Sequence, residues 1–228
     1  MAKPLHSWNV TPKEAVRIQR RLQARLWFGD APRELERVGG VDVSYVQGQA
    51  LAAVVILEFP GLRLIEAVHA AVPVNFPYVP GLLSFREGPP VLKAWKQLQH
   101  VPDVVFFDGH GMAHPRGFGL ASHLGLWLHK PTVGCAKSRL VGSHDRVPEE
   151  PGGFSLLIHR DKVIGAVLRN RARTRPIFIS PGHRLCLAAC LDLTRRCSQG
   201  YRLPEPTRLA HREVTTLRRR PPHRISSV

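Results

Sequence analysis

The sequence predicts an α/β fold in one domain, on three observations. Residues 41–72 hold three strand-like segments joined by short turns, the pattern of an antiparallel meander. Residues up to 135 then alternate helix and strand, the β-α-β-α-β order of an α/β unit. No internal repeat and no long linker divides the 228 residues, a length that one core can organise.

A helix is expected over residues 11–27. Thr11-Pro12-Lys13-Glu14 fits a capping box, with Pro12 at the first helical position and Glu14 able to reach back to the cap. Ile18, Leu22 and Leu26 recur every four residues while Arg17, Arg20, Arg21 and Arg25 occupy other positions, so one face is buried. Val41, Val43 and Tyr45 then alternate with Asp42 and Ser44, which aims Asp42 away from its apolar neighbours. Leu51 to Leu57 is apolar throughout, as in a strand covered on both faces, and Gln47-Gly48-Gln49 turns the chain into it. Residues 62–72 complete the meander.

In NFPYVPGLLSFRE, Pro77 and Pro80 bracket Tyr78 and Val79, with Pro73 just upstream. These prolines argue against regular helix or mid-sheet strand there. A helix over about 90–99 leads into a buried strand, Asp103 to Phe107, which ends at Asp108-Gly109-His110-Gly111. A helix around 117–128 and a strand at 131–135 follow, then strands at 162–168 and 176–179 and a helix over about 183–197. A proline-containing, arginine-rich stretch closes the chain, with a basic tail over about 213–228.

Charge narrows the partners. Lys and Arg number 33 against 17 Asp and Glu, giving a formal net charge of +16 and a sequence pI of about 10.9. Such an excess favours a polyanion, nucleic acid ahead of an acidic membrane. The run Leu51 to Leu57 is too short to span a bilayer, and MAKPLHSWNV lacks the apolar core of a secretory signal. Cys135, Cys186, Cys190 and Cys197 form no CxxC pair, and the last three share a helical face with Leu193 as small core residues. A reduced, cytoplasmic setting is the expectation.

Three acids are candidates for chemistry. Asp108 stands where a buried strand ends, the rim at which open α/β sheets bind ligands, and its flanking glycines would let the backbone turn sharply; Asp-Gly also caps ordinary turns. Asp42 either faces solvent or enters a polar site. Glu87 either joins them or pairs with Arg86. Together they could hold a hard divalent ion, which takes oxygen ligands, inside a protein basic enough to hold a phosphate polymer. Spacing alone does not bring them together. His110, His114 and His123 lack a zinc-like partner pattern. Arg208, Arg212, Arg218, Arg219, Arg220 and Arg224, and separately Arg169, Arg171, Arg173 and Arg175, are either phosphate contacts or solubilising surface, the first set on an extension that orders on binding.

GGVDVSY, PYVPGLLSFRE, FFDGHGMAHPRGFGLASHLG, GCAKSRL, SPGHR and GYRLPEPTR, in this order over about residues 36–212, resemble the endonuclease V family. The resemblance implies an RNase H-like fold, a central mixed β-sheet flanked by helices with the carboxylates grouped on the sheet. By motif position it implies Asp42, Glu87 and Asp108 as metal-site acids, Mg²⁺ as cofactor with Mn²⁺ substituting, and Lys137 on the phosphate charge. His211 matches a position held by histidine or aspartate among members, where it would position water or neutralise the leaving group. Tyr78, stiffened by Pro77 and Pro80, would be a wedge at the lesion. A flipped hypoxanthine would enter a pocket made partly by Gly81, Leu83, Gly109 and the loop carrying His114. The implied reaction is that of a deoxyribonuclease V. A metal-activated water cuts the second phosphodiester 3′ of a deoxyinosine in DNA, leaving 3′-hydroxyl and 5′-phosphate ends. Inosine-containing RNA as substrate, and a non-catalytic binding module, are the alternatives; no membrane and no obligate protein partner is expected.

Overall fold

The structure, a computed structural model, describes residues 4–219. Its frame is one eight-stranded sheet built from β1 (Arg37–Val46), β2 (Gln49–Glu58), β3 (Leu64–Pro73), β4 (Val104–Phe107), β5 (Thr132–Ala136), β6 (Phe154–His159), β7 (Lys162–Leu168) and β8 (Ile177–His183). The spatial order is β3-β2-β1-β4-β5-β8-β7-β6. The meander β1–β2–β3 is antiparallel, β1, β4 and β5 run parallel, and β8, β7 and β6 return antiparallel. This is the mixed sheet of the expected RNase H-like α/β fold.

Helices cover both faces. On one side α2 (Leu83–Trp95) and α3 (Leu120–Leu128) pack Val91, Ala94, Leu120 and Leu124 on Val41, Val54, Ile56 and Phe107. On the other, α4 (Leu187–Arg196) and α5 (Glu205–Arg218) set Cys190, Leu193, Leu209 and Ala210 against Val38, Val55, Phe106 and Ile179. Because β2 and β4 are covered twice, their continuous apolar runs are buried on both faces. Among the described residues, no helix is long and apolar enough to cross a membrane.

Several boundaries differ from the sequence expectation. Helix α1 (Pro12–Gln23) starts with the expected capping box but stops before residue 27. There the Trp27 and Gly29 carbonyls accept from the Arg184 and Cys186 backbone N–H groups, which draws the chain out of the helix. Helix α2 begins at Leu83 rather than about 90 and holds Pro89 and Pro90 inside it. Proline's fixed φ is helical, and burial of Phe85, Val91 and Ala94 outweighs the missing backbone donors. Strand β8 runs on to His183 through Pro181, beside a register shift in β5, so α4 starts at Leu187 instead of 183.

Two elements had no expectation. Strand β6 turns into β7 through Arg160 and Asp161, whose φ values of 50° and 59° make the tight hairpin without the glycine that would advertise it. Helix α5 occupies residues read as an extension that orders on binding. Pro204 caps it and Pro206 sits in its first turn, where a missing N–H costs nothing. It lies so close to β1 that a Cβ on Gly40 would sit 1.9 Å from the Pro206 carbonyl oxygen. The part of the basic tail from residue 220 on lies outside the described residues.

Candidate functional site

Val41 of β1 pairs in register with Phe107 of β4, so the next residues, Asp42 within β1 and Asp108 just past the end of β4, lie side by side. The Asp108 N–H closes this pairing on the Val41 carbonyl at 3.0 Å. Lys137 follows the last residue of β5, the third parallel strand, and its Nζ donates to Asp108 Oδ2. Two of these side chains thus follow the same ends of β4 and β5, and Asp42 stands level with them on β1, at the rim where sheets of this kind bind ligands.

His211 arrives from α5 on the far face. Its Nδ1 lies 2.7 Å from Asp42 Oδ2 and 3.4 Å from Lys137 Nζ. The shorter contact assigns the Nδ1 proton, donated to the carboxylate, and leaves Nε2 as the ring's acceptor. Asp42, Asp108 and His211 each offer a ligand atom, all within 4.8 Å of one another. The Asp42 side chain is 10% exposed and Asp108 13%. Burial first, and the neighbouring Asp108 charge second, push the Asp42 carboxyl above its ordinary range, with His211 and Lys137 opposing.

Glu87 stands apart. It lies on α2, not on the sheet, outside the trio whose ligand atoms converge. Its Oε1 accepts from the Tyr45 hydroxyl at 3.2 Å, and the Arg86 guanidinium lies over the Tyr45 ring at 4.5 Å. Burial, then the Asp42 charge, hold the Glu87 carboxyl well above its normal range. Sequence reasoning did not single out Tyr45 as Glu87's partner. Its only mark was alternation with Asp42, which fixes the face and not the neighbour.

Beside the carboxylates opens a cavity of about 210 Å³ lined by Tyr78, Pro80, Gly81, Leu83 and His114 among others. Tyr78 is 72% exposed at its edge. One residue expected in the wall, Gly109, does not line the cavity. Pro77 is exposed beside Tyr78, and Gly109 backs onto α3, where a Cβ would meet Leu120 Cδ2 at 3.0 Å. Neither glycine of the Asp108–Gly111 loop has a positive φ. Gly111 is needed for closeness instead, since a Cβ there would lie 2.0 Å from the Pro181 carbonyl oxygen.

Other residues in the wall were not expected: Gln19 from α1, Ser84, His110, and Ser138, Arg139 and Leu140 after β5. Gln19 occupies the polar gap in α1's apolar stripe, which is the one sequence signal it had. Burial lowers the His110 imidazole to about 4, so the ring is neutral at pH 7. The cysteines are free, with Cys135, Cys190 and Cys197 buried and Cys186 capping α4.

The chain's likeness to known proteins is extensive. The family model for endonuclease V matches residues 20–212. The endonuclease V of Thermosipho melanesiensis is 46% identical, over 95% of this chain and 96% of its own. The crystal structure of endonuclease V from Bacillus subtilis superposes with a TM-score of 0.90 at 30% identity, covering 94% of this chain and 95% of that one. A variant of Ciona intestinalis endonuclease V, solved with a 23mer DNA containing an inosine followed by a ribo-adenosine, has a TM-score of 0.80 at 26% identity and covers 91% and 98%. With relatives of this identity spanning nearly its whole length, the chain belongs to the endonuclease V family of nucleases.

Proposed function

We propose that this protein is a divalent-metal-dependent endonuclease that nicks inosine-containing DNA. It cuts the second phosphodiester 3′ of the inosine and leaves 3′-hydroxyl and 5′-phosphate ends. The observation that carries this reading is the convergence of Asp42, Asp108 and His211 beside a cavity with an exposed tyrosine at its edge.

The donor set fits a hard cation. Two carboxylates close enough for the Asp108 charge to push the Asp42 carboxyl up leave an excess of negative charge that Lys137 and His211 only partly offset. Asp42 and Asp108 would hold Mg²⁺ or Mn²⁺ with His211 beside them, and Glu87 stands behind Asp42. Bound there, the ion supplies Lewis acidity at the scissile phosphate and makes water nucleophilic at neutral pH. Lys137 places a positive charge where the phosphate gains negative charge in the transition state. His211, through Nε2, orients water or a proton at the departing oxygen. Tyr78 inserts where the base leaves the stack, and the cavity wall of Gly81, Leu83 and His114 receives it.

The test is a 5′-labelled duplex with one inosine, incubated with Mg²⁺, with Mn²⁺ or with EDTA. A single nick immediately 3′ of the inosine's 3′ neighbour, ligatable and absent in EDTA, is expected. Binding without any nick at every metal concentration would leave a non-catalytic module. A second reading has its own support, because the DNA bound to the Ciona protein places a ribose immediately after the inosine. Matched DNA and RNA strands, each with one inosine, rank the two substrates directly.

A further inference from the structure

The carbonyl oxygen of Gly81 is the acceptor for three side chains from two other parts of the fold. Gln19 Nε2 of α1 donates at 3.0 Å, His114 Nε2 at 2.8 Å and an Arg116 terminal nitrogen at 2.7 Å. The donors are themselves tied together. Arg116 Nε donates to Gln19 Oε1 at 2.6 Å, the Arg116 backbone N–H donates to His114 Nδ1 at 3.2 Å, and Gln19 Nε2 also reaches the Phe118 carbonyl at 3.2 Å. His114 Nδ1 accepts, so Nε2 carries the proton for Gly81. Burial keeps that ring neutral, at a value of about 4, which fits this single tautomer.

We propose that Gln19 and Arg116 are positioning residues for lesion selectivity, which act by clamping the Gly81 carbonyl and thereby fixing Tyr78 relative to the base cavity. This rests on the cavity and wedge roles given above. Gln19 is 1% exposed, so its amide has no water to satisfy it, and its side-chain hydrogen bonds go to Gly81 in the cavity wall and to Arg116 and Phe118 behind it. Gly81 has φ +79°, lies three residues after the exposed tyrosine and two before α2, and is the point where the loop meets the fold. Nothing else in Pro77–Gly81 is gripped this way. Selectivity between hypoxanthine and adenine depends on a wall held to within a fraction of an ångström, and a loop free to drift accepts both.

Two substitutions in the full-length protein test the clamp. Arg116→Lys keeps the charge, and hence general attraction to phosphate, but loses the fork that grips Gln19 and Gly81 together. Gln19→Met keeps the volume and removes every polar contact. Nicking rates are measured on two duplexes that differ only by inosine or adenine at one position, with an adjacent 2-aminopurine reporting base unstacking in EDTA. Each variant should lower the inosine-to-adenine ratio on the order of tenfold, the loss of one charge-assisted hydrogen bond, and weaken the unstacking signal. The Mg²⁺ concentration for half-maximal rate should stay at the wild-type value. A purely structural role lowers both duplexes together and leaves the ratio unchanged, and that result in Arg116→Lys overturns the proposal even if Gln19→Met fails to fold. A wild type that nicks neither duplex overturns the activity itself, and the clamp with it.

Discussion

At the scale of single residues, the site sets charge against stability. Asp42 and Asp108 face each other and Glu87 lies buried behind them, so ionising all three sets like charges against one another. Asp42→Asn should cut nicking by about 10³-fold while binding to an inosine duplex, read by gel shift, survives. Lys137→Ala should lose about 10²-fold and keep its metal dependence. Glu87→Gln should do the opposite of most core changes and raise the Tm of the metal-free protein, by about 2–4 °C per kcal/mol of repulsion relieved. The pH dependence has a definite sign. A carboxyl whose folded pKa is raised binds its proton more tightly folded than unfolded, so stability falls as pH rises past about 4.3 toward the raised value. In EDTA the wild type should therefore gain Tm as pH drops from neutral through that window, and Glu87→Gln should show a smaller gain. Equal slopes in a calorimeter would mean that the fold does not raise the Glu87 carboxyl.

At the scale of elements, α5 is both a wall of the core and the carrier of His211, and the two roles separate by mutation. Gly40→Ala puts a methyl into the Pro206 carbonyl and has to push α5 off β1. It should cost about 1–3 kcal/mol, seen as a lower Tm, and reduce nicking as His211 moves off Asp42. His211→Ala should reduce nicking with the Tm nearly unchanged, since the ring is half exposed. The same helix shows what the sequence did and did not reveal. Leu209, Ala210, Val214 and Leu217 carry a helical repeat, but arginines between them and prolines before them look like a tail until β1 supplies a surface to bury against. Strand β6 was hidden because Phe154, Leu156 and Ile158 face outward on a sheet edge, with no alternation against a polar face. Asp108, by contrast, was legible because it ends a buried strand, and Asp42 because it is an acid within an apolar alternating one. Gln19, Tyr45 and Arg116 were not, because their roles depend on contacts 35 to 99 residues away in the chain.

Across the whole molecule, the balance of 33 basic to 17 acidic side chains sets the terms on which any nucleic acid arrives. The carboxylates of Asp42 and Asp108 are a small island in that field, so on the proposed reading the basic surroundings govern approach of a duplex and the island governs chemistry. These two contributions respond differently to salt. Each phosphate neutralised on a duplex releases bound counterions, so log K falls against log salt with a slope near −0.9 per contact. A face touching about six to ten phosphates loses roughly 10³–10⁵ in affinity between 50 and 200 mM salt. The buried carboxylates and Lys137 are screened much less at the same ionic strength. Raising KCl over that range at constant Mg²⁺ should therefore raise KM for an inosine duplex steeply and leave kcat within about threefold. Binding to an undamaged duplex should weaken with the same slope, because the phosphates and not the lesion carry the dependence. If kcat collapses while KM holds, the basic excess is not a docking field, and the cations act inside the catalytic step instead.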